Sequence, residues 1–151
     1  MKALHLISVG KNKDKSFLSL ESDYLKRINS FSVHLHEVKA CEENLSLEAK
    51  NVLKKIEALQ KTENMQIVLL TEKGKKLNSP RFSKWLFSLF EHGSIILVIG
   101  GAAGHGQILY DMYPEELSLS PLTLPHKLAR LTLIEQLYRA QTIFQSHPYH
   151  K

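Results

Sequence analysis

The chain has 151 residues, 43% hydrophobic and 23% charged, with a formal net charge of +5 at pH 7. That is the composition of an ordinary soluble globular protein of one domain, and no apolar stretch approaches the ~20 residues of a membrane span. The single cysteine, Cys41, excludes an internal disulfide and a cysteine-built zinc site, which makes the reducing cytoplasm the default, while the basic balance points to a polyanionic partner.

The opening "MKALHLISVGKNK" reads as a first strand over residues 3–9 closed by Gly10; no small-residue cleavage site follows its apolar run, so it does not read as a signal peptide. Residues 16–28 carry Phe17, Leu20, Tyr24, Leu25 and Ile28 on one helical face. "SVHLHEVKA" alternates Val33, Leu35 and Glu37 against His34, His36 and Val38, the period of a strand. Helical spacing returns over residues 46–61 through Leu45, Ala49, Val52, Leu53, Ile56 and Leu59. "QIVLLT" predicts a short buried strand, and Ser79 with Pro80 an N-cap and first turn for a helix through Phe90.

"SIILVIGG" is too apolar for an edge position and predicts the centre of a parallel sheet. A short helix over residues 107–113 and a brief strand in "ELSLS", broken by Pro121, lead to a long helix from Pro125 to about Phe144. That helix spaces Leu128, Leu131, Ile134, Leu137 and Tyr138 for burial. Strands alternating with helices predict an α/β fold, a mostly parallel sheet flanked by helices. With no repeat and no linker, residues 1–151 read as one domain.

Ligands of open α/β sheets sit at the carboxyl ends of strands, which is where "GGAAGHG" lies. The dinucleotide fingerprint G-x-G-x-x-G is not met, because Gly100, Gly101, Gly104 and Gly106 fall in a different order. Gly101 to Gly106 has P-loop spacing, but Gln107 and Ile108 follow where lysine and a hydroxyl residue are needed. A glycine loop without a phosphate anchor suits a compact nucleoside bound through backbone groups, or is a plain turn. "LSLSPLTLPH" adds hydroxyl residues, leucines to pack a ring, and two prolines that stiffen the path.

"LVIGGAAG", "LSLSPLTLPHKLARLTLIEQLYRA" and the terminal "HPYHK" together closely resemble the ribosomal RNA large subunit methyltransferase H family, small members of the SPOUT methyltransferases. The resemblance runs the length of the chain and is most specific toward its end. It implies a homodimer that uses S-adenosylmethionine, with a C-terminal trefoil knot around the cofactor. The implied reaction is N3 methylation of a pseudouridine in 23S rRNA, in the stem-loop at the subunit interface of assembled ribosomes. By motif, the implied cofactor contacts are Leu70, Gly101, Leu119, Ser120, Pro121, Leu122, Thr123 and Leu124. Valine at Gly101 is expected to intrude on the ligand. The family's loop commonly reads Gly-Gly-Pro-Glu-Gly, so an acidic residue is replaced by Ala103 here, and Lys151 stands where arginine is common.

The tail offers two imidazoles, a phenol and a cation. His147 and His150 are the proton acceptors to weigh, Tyr149 can stack on or bond the base, and Lys151 can neutralise a phosphate. The tail trails off the last helix, in place to complete a partner subunit's site; the bland alternative is a frayed terminus. Arg130 and Arg139 lie nine positions apart, on opposite sides of a helix, with Arg139 taken as the RNA contact. His34 and His36 read as a packed or solvent-facing pair rather than metal ligands, His105 as a surface histidine or an RNA contact, and His126 as a helix-start residue. "KNKDK" and "EKGKK" read as solvated loops, with a dedicated RNA patch as the other reading. The last helix carries more apolar residues than one core stripe needs, which also predicts a homodimer. A non-catalytic ribosome-binding or assembly factor that keeps the fold is the alternative function.

Overall fold

The computed structural model describes residues 1–42 and 44–151. The elements are β1 Ala3–Val9, α1 Lys15–Leu25, β2 Ser32–Val38, α2 Leu45–Gln60, β3 Gln66–Lys76, α3 Ser79–Phe90, β4 Ile95–Ile99, α4 Gln107–Met112, β5 Glu116–Ser118 and α5 His126–Phe144. All pairings in the five-stranded sheet are parallel, in the order β2-β1-β4-β3-β5. β4 is therefore central, as its apolar run predicts, and all five of its residues are buried.

Successive side chains of a strand face opposite sides, so the sheet builds two cores. Leu4, Leu6, Val68 and Leu97 meet Phe82 and Leu86 of α3 and Leu133, Ile134 and Leu137 of α5. On the other side Ile7, Val9, Leu69, Ile96 and Val98 meet Val52 and Ile56 of α2 and Leu109 of α4. No helix among the described residues is long and apolar enough to cross a membrane.

Several local expectations are corrected. On α1 the inward residue is Glu21, 1% exposed, while Leu20 is 48% exposed. The exchange follows from α5: Arg130 comes inward to pair with Glu21 at 2.8 Å and with Glu37 of β2 at 2.9 Å. This also explains why the core-facing side of β2 ends in a carboxylate. Leu128 of α5 is exposed and Leu133 takes its inward place. Asn78, not Ser79, caps α3, its Oδ1 accepting from the Arg81 amide at 3.0 Å. Ser79 instead donates to Gln136 Oε1 of α5 at 2.8 Å.

The largest departure is β3, which runs on to Lys76. Leu70 pairs with Leu117, and Lys75 pairs with Leu117 again, so the intervening residues bulge out of the ladder. Gly74 makes that crossing possible. A Cβ on it would lie 2.6 Å from the Leu117 backbone nitrogen, closer than any side chain can approach.

Candidate functional site

With every strand parallel, the loops after β3, β4 and β5 open at one edge of the sheet, and they enclose a cavity of about 1030 Å³. Its wall includes Leu70, Gly101, Leu119, Ser120, Leu122, Thr123 and Leu124. Seven of the eight expected cofactor contacts thus share one cavity; Pro121 belongs to the same loop but not to the wall.

The glycine loop is a tight turn. The Gly104 amide donates to the Gly101 carbonyl at 3.0 Å, and Gly104 sits at φ +85°, a conformation that disfavours side chains. A Cβ on Gly101 would meet Val9 Cγ1 at 3.1 Å and Glu48 Oε1 at 3.2 Å. A side chain there is crowded first by Val9 and Glu48, which must give by a few tenths of an ångström to admit it.

His105 is neither a surface residue nor free to reach RNA. It is buried, and its Nε2–H donates to the Leu70 carbonyl at 2.8 Å, tying the glycine loop to the end of the first segment of β3. Burial lowers its pKa, a shift the Leu70 hydrogen bond opposes, so the ring is neutral at physiological pH. Its edge meets the Tyr110 ring at 5.7 Å. Burial, with Glu116 nearby, raises the Tyr110 phenol in turn.

The β3 bulge supplies wall residues that the sequence reading missed. Thr71, Glu72 and Lys73 line the cavity, together with Glu116 of β5, whose Oε1 accepts from the Thr71 hydroxyl at 2.8 Å. In the opposite wall Ser118 Oγ donates to the Ser120 carbonyl at 3.0 Å, and Ser120 Oγ accepts from the Leu122 amide at 2.9 Å. That fixed turn holds Leu122 out, 72% exposed. His126, the helix-start residue, and Ala129 close the cavity from α5.

The tail lies elsewhere. The His147 amide donates to the Thr142 carbonyl at 2.8 Å and the Ser146 amide to the Ile143 carbonyl at 3.1 Å, with Ser146 left-handed at φ 55°. This double bond pattern ends α5 and turns the chain back along it, so the terminus is not frayed. The Tyr149 hydroxyl donates to Glu135 Oε1 at 3.1 Å, and its ring packs edge-on against Tyr138 at 4.8 Å, with the Arg139 guanidinium over its face at 4.8 Å. Burial, together with hydrogen bonding with Tyr24 and to Glu135, pushes the Tyr149 phenol up to about 12.

Arg139 bonds Glu135 at 2.6 Å and reaches His150 Nδ1 at 3.1 Å. A guanidinium only donates, so His150 Nδ1 accepts and the proton of the neutral ring rests on Nε2. His147 Nδ1 likewise accepts, from the Tyr149 amide at 3.3 Å. Both rings therefore present N–H donors, and neither leaves a basic nitrogen free while the tail rests on α5. Lys151 is exposed. None of residues 147–151 lines the cavity. His126 and Arg139 are thirteen residues apart on α5, about 20 Å at 1.5 Å per residue.

Of the other arginine and histidine readings, Arg130 is an internal residue, 5% exposed. His36 Nε2 and His5 Nδ1 share a hydrogen bond of 2.9 Å, and His5 stacks on His34 at 5.0 Å.

Residues 1–150 match the family described as "Predicted SPOUT methyltransferase". A protein of Prochlorococcus marinus (strain NATL1A) named ribosomal RNA large subunit methyltransferase H is 38% identical over 97% of this chain and 94% of its own length. Proteins of the same name from Mycoplasmopsis synoviae and Bacillus cytotoxicus are 40% and 35% identical, each over 98% of this chain and 99% of the relative. Among solved structures, the SpoU methyltransferase AviRb from Streptomyces viridochromogenes, in complex with the cofactor AdoMet, aligns with a TM-score of 0.54 at 12% identity. The alignment spans 93% of this chain and 58% of that one, a likeness of fold.

Proposed function

Because the chain belongs to the SPOUT methyltransferase family, among the ribosomal RNA large subunit methyltransferase H proteins, we propose that it methylates N3 of a pseudouridine in 23S rRNA, in the inter-subunit stem-loop of assembled ribosomes, with S-adenosylmethionine as donor. The observation that carries this reading is the meeting of the glycine loop, the proline loop and the β3 bulge around one cavity.

The wall fits such a cofactor. Leu70, Leu119, Leu122 and Leu124 are apolar surface for an adenine, and Leu122 is the exposed leucine that a ligand would cover. Glu72 and Glu116 offer carboxylates to a ligand carrying positive charge. Bound S-adenosylmethionine supplies an electrophilic methyl group on a sulfonium. The residues around it contribute alignment, the main requirement of an in-line displacement. A neutral His105 holds two of the walls in register without adding a competing charge.

In this reading the protein acts as a homodimer, and the tail of one copy serves the cavity of the other. Two observations support it: the tail rests on α5 outside its own cavity, its nearest anchor Glu135 standing six residues, about 9 Å, from the wall residue Ala129, and Leu128 and Phe144 of α5 are exposed apolar side chains. His147 and His150 then offer N–H donors to the carbonyls of the base, Tyr149 a ring and hydroxyl, and Arg139 and Lys151 charge for phosphate. The trefoil knot belongs to the same reading. A ribosomal substrate makes the protein cytoplasmic.

The test is to incubate the protein with unmethylated ribosomes and methyl-labelled S-adenosylmethionine, then map the rRNA by mass. Label at one 23S pseudouridine is expected. Ribosome binding without any label would instead support a non-catalytic factor.

A further inference from the structure

We propose that the segment from the loop after β1 to the first residue of α1, residues 10–15, is a preformed RNA-phosphate-binding lip of the same cavity, positioned by the buried ion network around Arg130. This rests on the reading of rRNA as substrate. Lys11, Lys13 and Lys15 are exposed, and none forms an ion pair among the described residues. Asp14, the one carboxylate among them, is engaged with the Ser16 and Phe17 amides at 2.9 and 3.4 Å. Those bonds to neutral amides leave the Asp14 charge in place, so the segment carries three positive charges against one negative.

The residue between the first two lysines points the other way. Asn12 is 7% exposed; its amide donates to Glu37 Oε2 at 2.7 Å, and its Oδ1 accepts from the Asp14 amide at 3.1 Å. The Gly10 amide donates to the Val38 carbonyl at 2.7 Å. Glu37 is itself gripped by Arg130 at 2.9 Å, and Arg130 by Glu21 at 2.8 Å. Asn12 Nδ2 is buried without a hydrogen-bond partner, a donor still available to the loop.

Burying a guanidinium between two carboxylates is a poor way to gain stability, since apolar side chains of similar volume usually serve as well. What the network provides is a fixed backbone that presents three lysines outward. The place is also specific. A Cβ on Gly10 would lie 3.7 Å from His126 Nε2, and His126 is part of the cavity wall. β1 and β3 flank β4, so the lysine loop and Lys73 stand on opposite sides of the glycine loop. A polyphosphate strand crossing the mouth would meet the three lysines on one bank and Lys73, beside the Glu72 carboxylate, on the other. Such contacts set register and orientation and read no bases.

The test compares the wild type with K11Q/K13Q/K15Q, with K11R/K13R/K15R and with Asn12→Ala. Cofactor affinity is read by calorimetry, ribosome KM by methyl transfer at several salt concentrations, and binding to protein-free 23S rRNA by filter retention. The glutamine triple variant is expected to keep cofactor affinity, raise KM about tenfold and flatten the slope of log KM against log salt by about 0.7–0.9 for each phosphate no longer neutralised. The arginine variant should restore both. Asn12→Ala, with its lysines intact, should raise KM while cofactor affinity holds. If the wild type methylates rRNA and the glutamine variant shows the same KM and salt slope, the lip is wrong and the substrate reading survives. A loss seen only on intact ribosomes and not on protein-free rRNA would assign the loop to a ribosomal protein and overturn the proposal. A wild type that leaves rRNA unlabelled sinks both.

Discussion

Ser146 occupies the left-handed position that ends α5, at φ 55°, where a Cβ is crowded by the backbone. Glycine relieves that strain, so Ser146→Gly is expected to stabilise the protein by about 0.5–1 kcal/mol, seen as a rise in Tm of a few degrees. An unchanged or lower Tm would mean that the turn carries no strain worth relieving. Leu122 poses the opposite case, a large apolar side chain left 72% exposed at the cavity. Leu122→Ser should leave folding unaffected and weaken S-adenosylmethionine binding by about 1.5 kcal/mol, or about tenfold in Kd, because the ligand then covers less apolar surface. Calorimetry showing equal affinities would remove the proline loop from the cofactor site. It is a cleaner probe than any change at Gly101, whose missing side chain points at Val9 and Glu48.

Among the elements, β3 and β5 depend on one close approach. Gly74→Ala sets a methyl group against the Leu117 backbone and should cost about 1–3 kcal/mol, with the loss visible in chemical denaturation. It should also disturb Thr71, Glu72 and Lys73, so cofactor binding falls further than stability alone explains. At the other end of the sheet, burial and then Lys55, His5 and His34 lower the His36 pKa from 6.5 to about 4. The folded state thus prefers the neutral ring. Between pH 6.5 and about 4 the unfolded chain binds the extra proton, and stability falls as pH drops through that window and then levels off. His36→Gln should flatten this acid limb in a series of thermal melts; an unaltered limb would move the effect to other groups.

The same elements show what was readable from the sequence. β4 was legible because a strand buried on both faces must be apolar throughout, and α3 because Pro80 acts locally, although its cap is Asn78 rather than Ser79. The extension of β3 was not, because "TEKGKK" has no apolar alternation; its pairing comes from the backbone of Leu117, more than forty residues away. Nor was inward Glu21, whose partner Arg130 is 109 positions along the chain. The two loops that line the cavity were legible as motifs. The carboxylates beside them, and the tail's return onto its own helix, arise from contacts that no local pattern encodes.

For the whole molecule, the homodimer reading predicts twice the monomer mass in light scattering at micromolar concentration. Phe144→Glu, which puts a charge at a side chain 62% exposed in the single chain, should lower that mass. A wild-type monomer would leave the tail without a second cavity to serve. The strand order has a further consequence, for how the chain is made. β1 pairs with β4, so the Ala3 amide meets the Ser94 hydroxyl across 91 positions of sequence. A chain emerging from a ribosome completes β1, β2 and the two helices that follow them well before β4 exists. Until then one edge of β1, a strand with five apolar residues of seven, offers unpaired amides and carbonyls to any extended chain nearby. Such long-range pairing slows folding and prolongs that exposure, so the enzyme's own synthesis includes an interval in which it needs shelter.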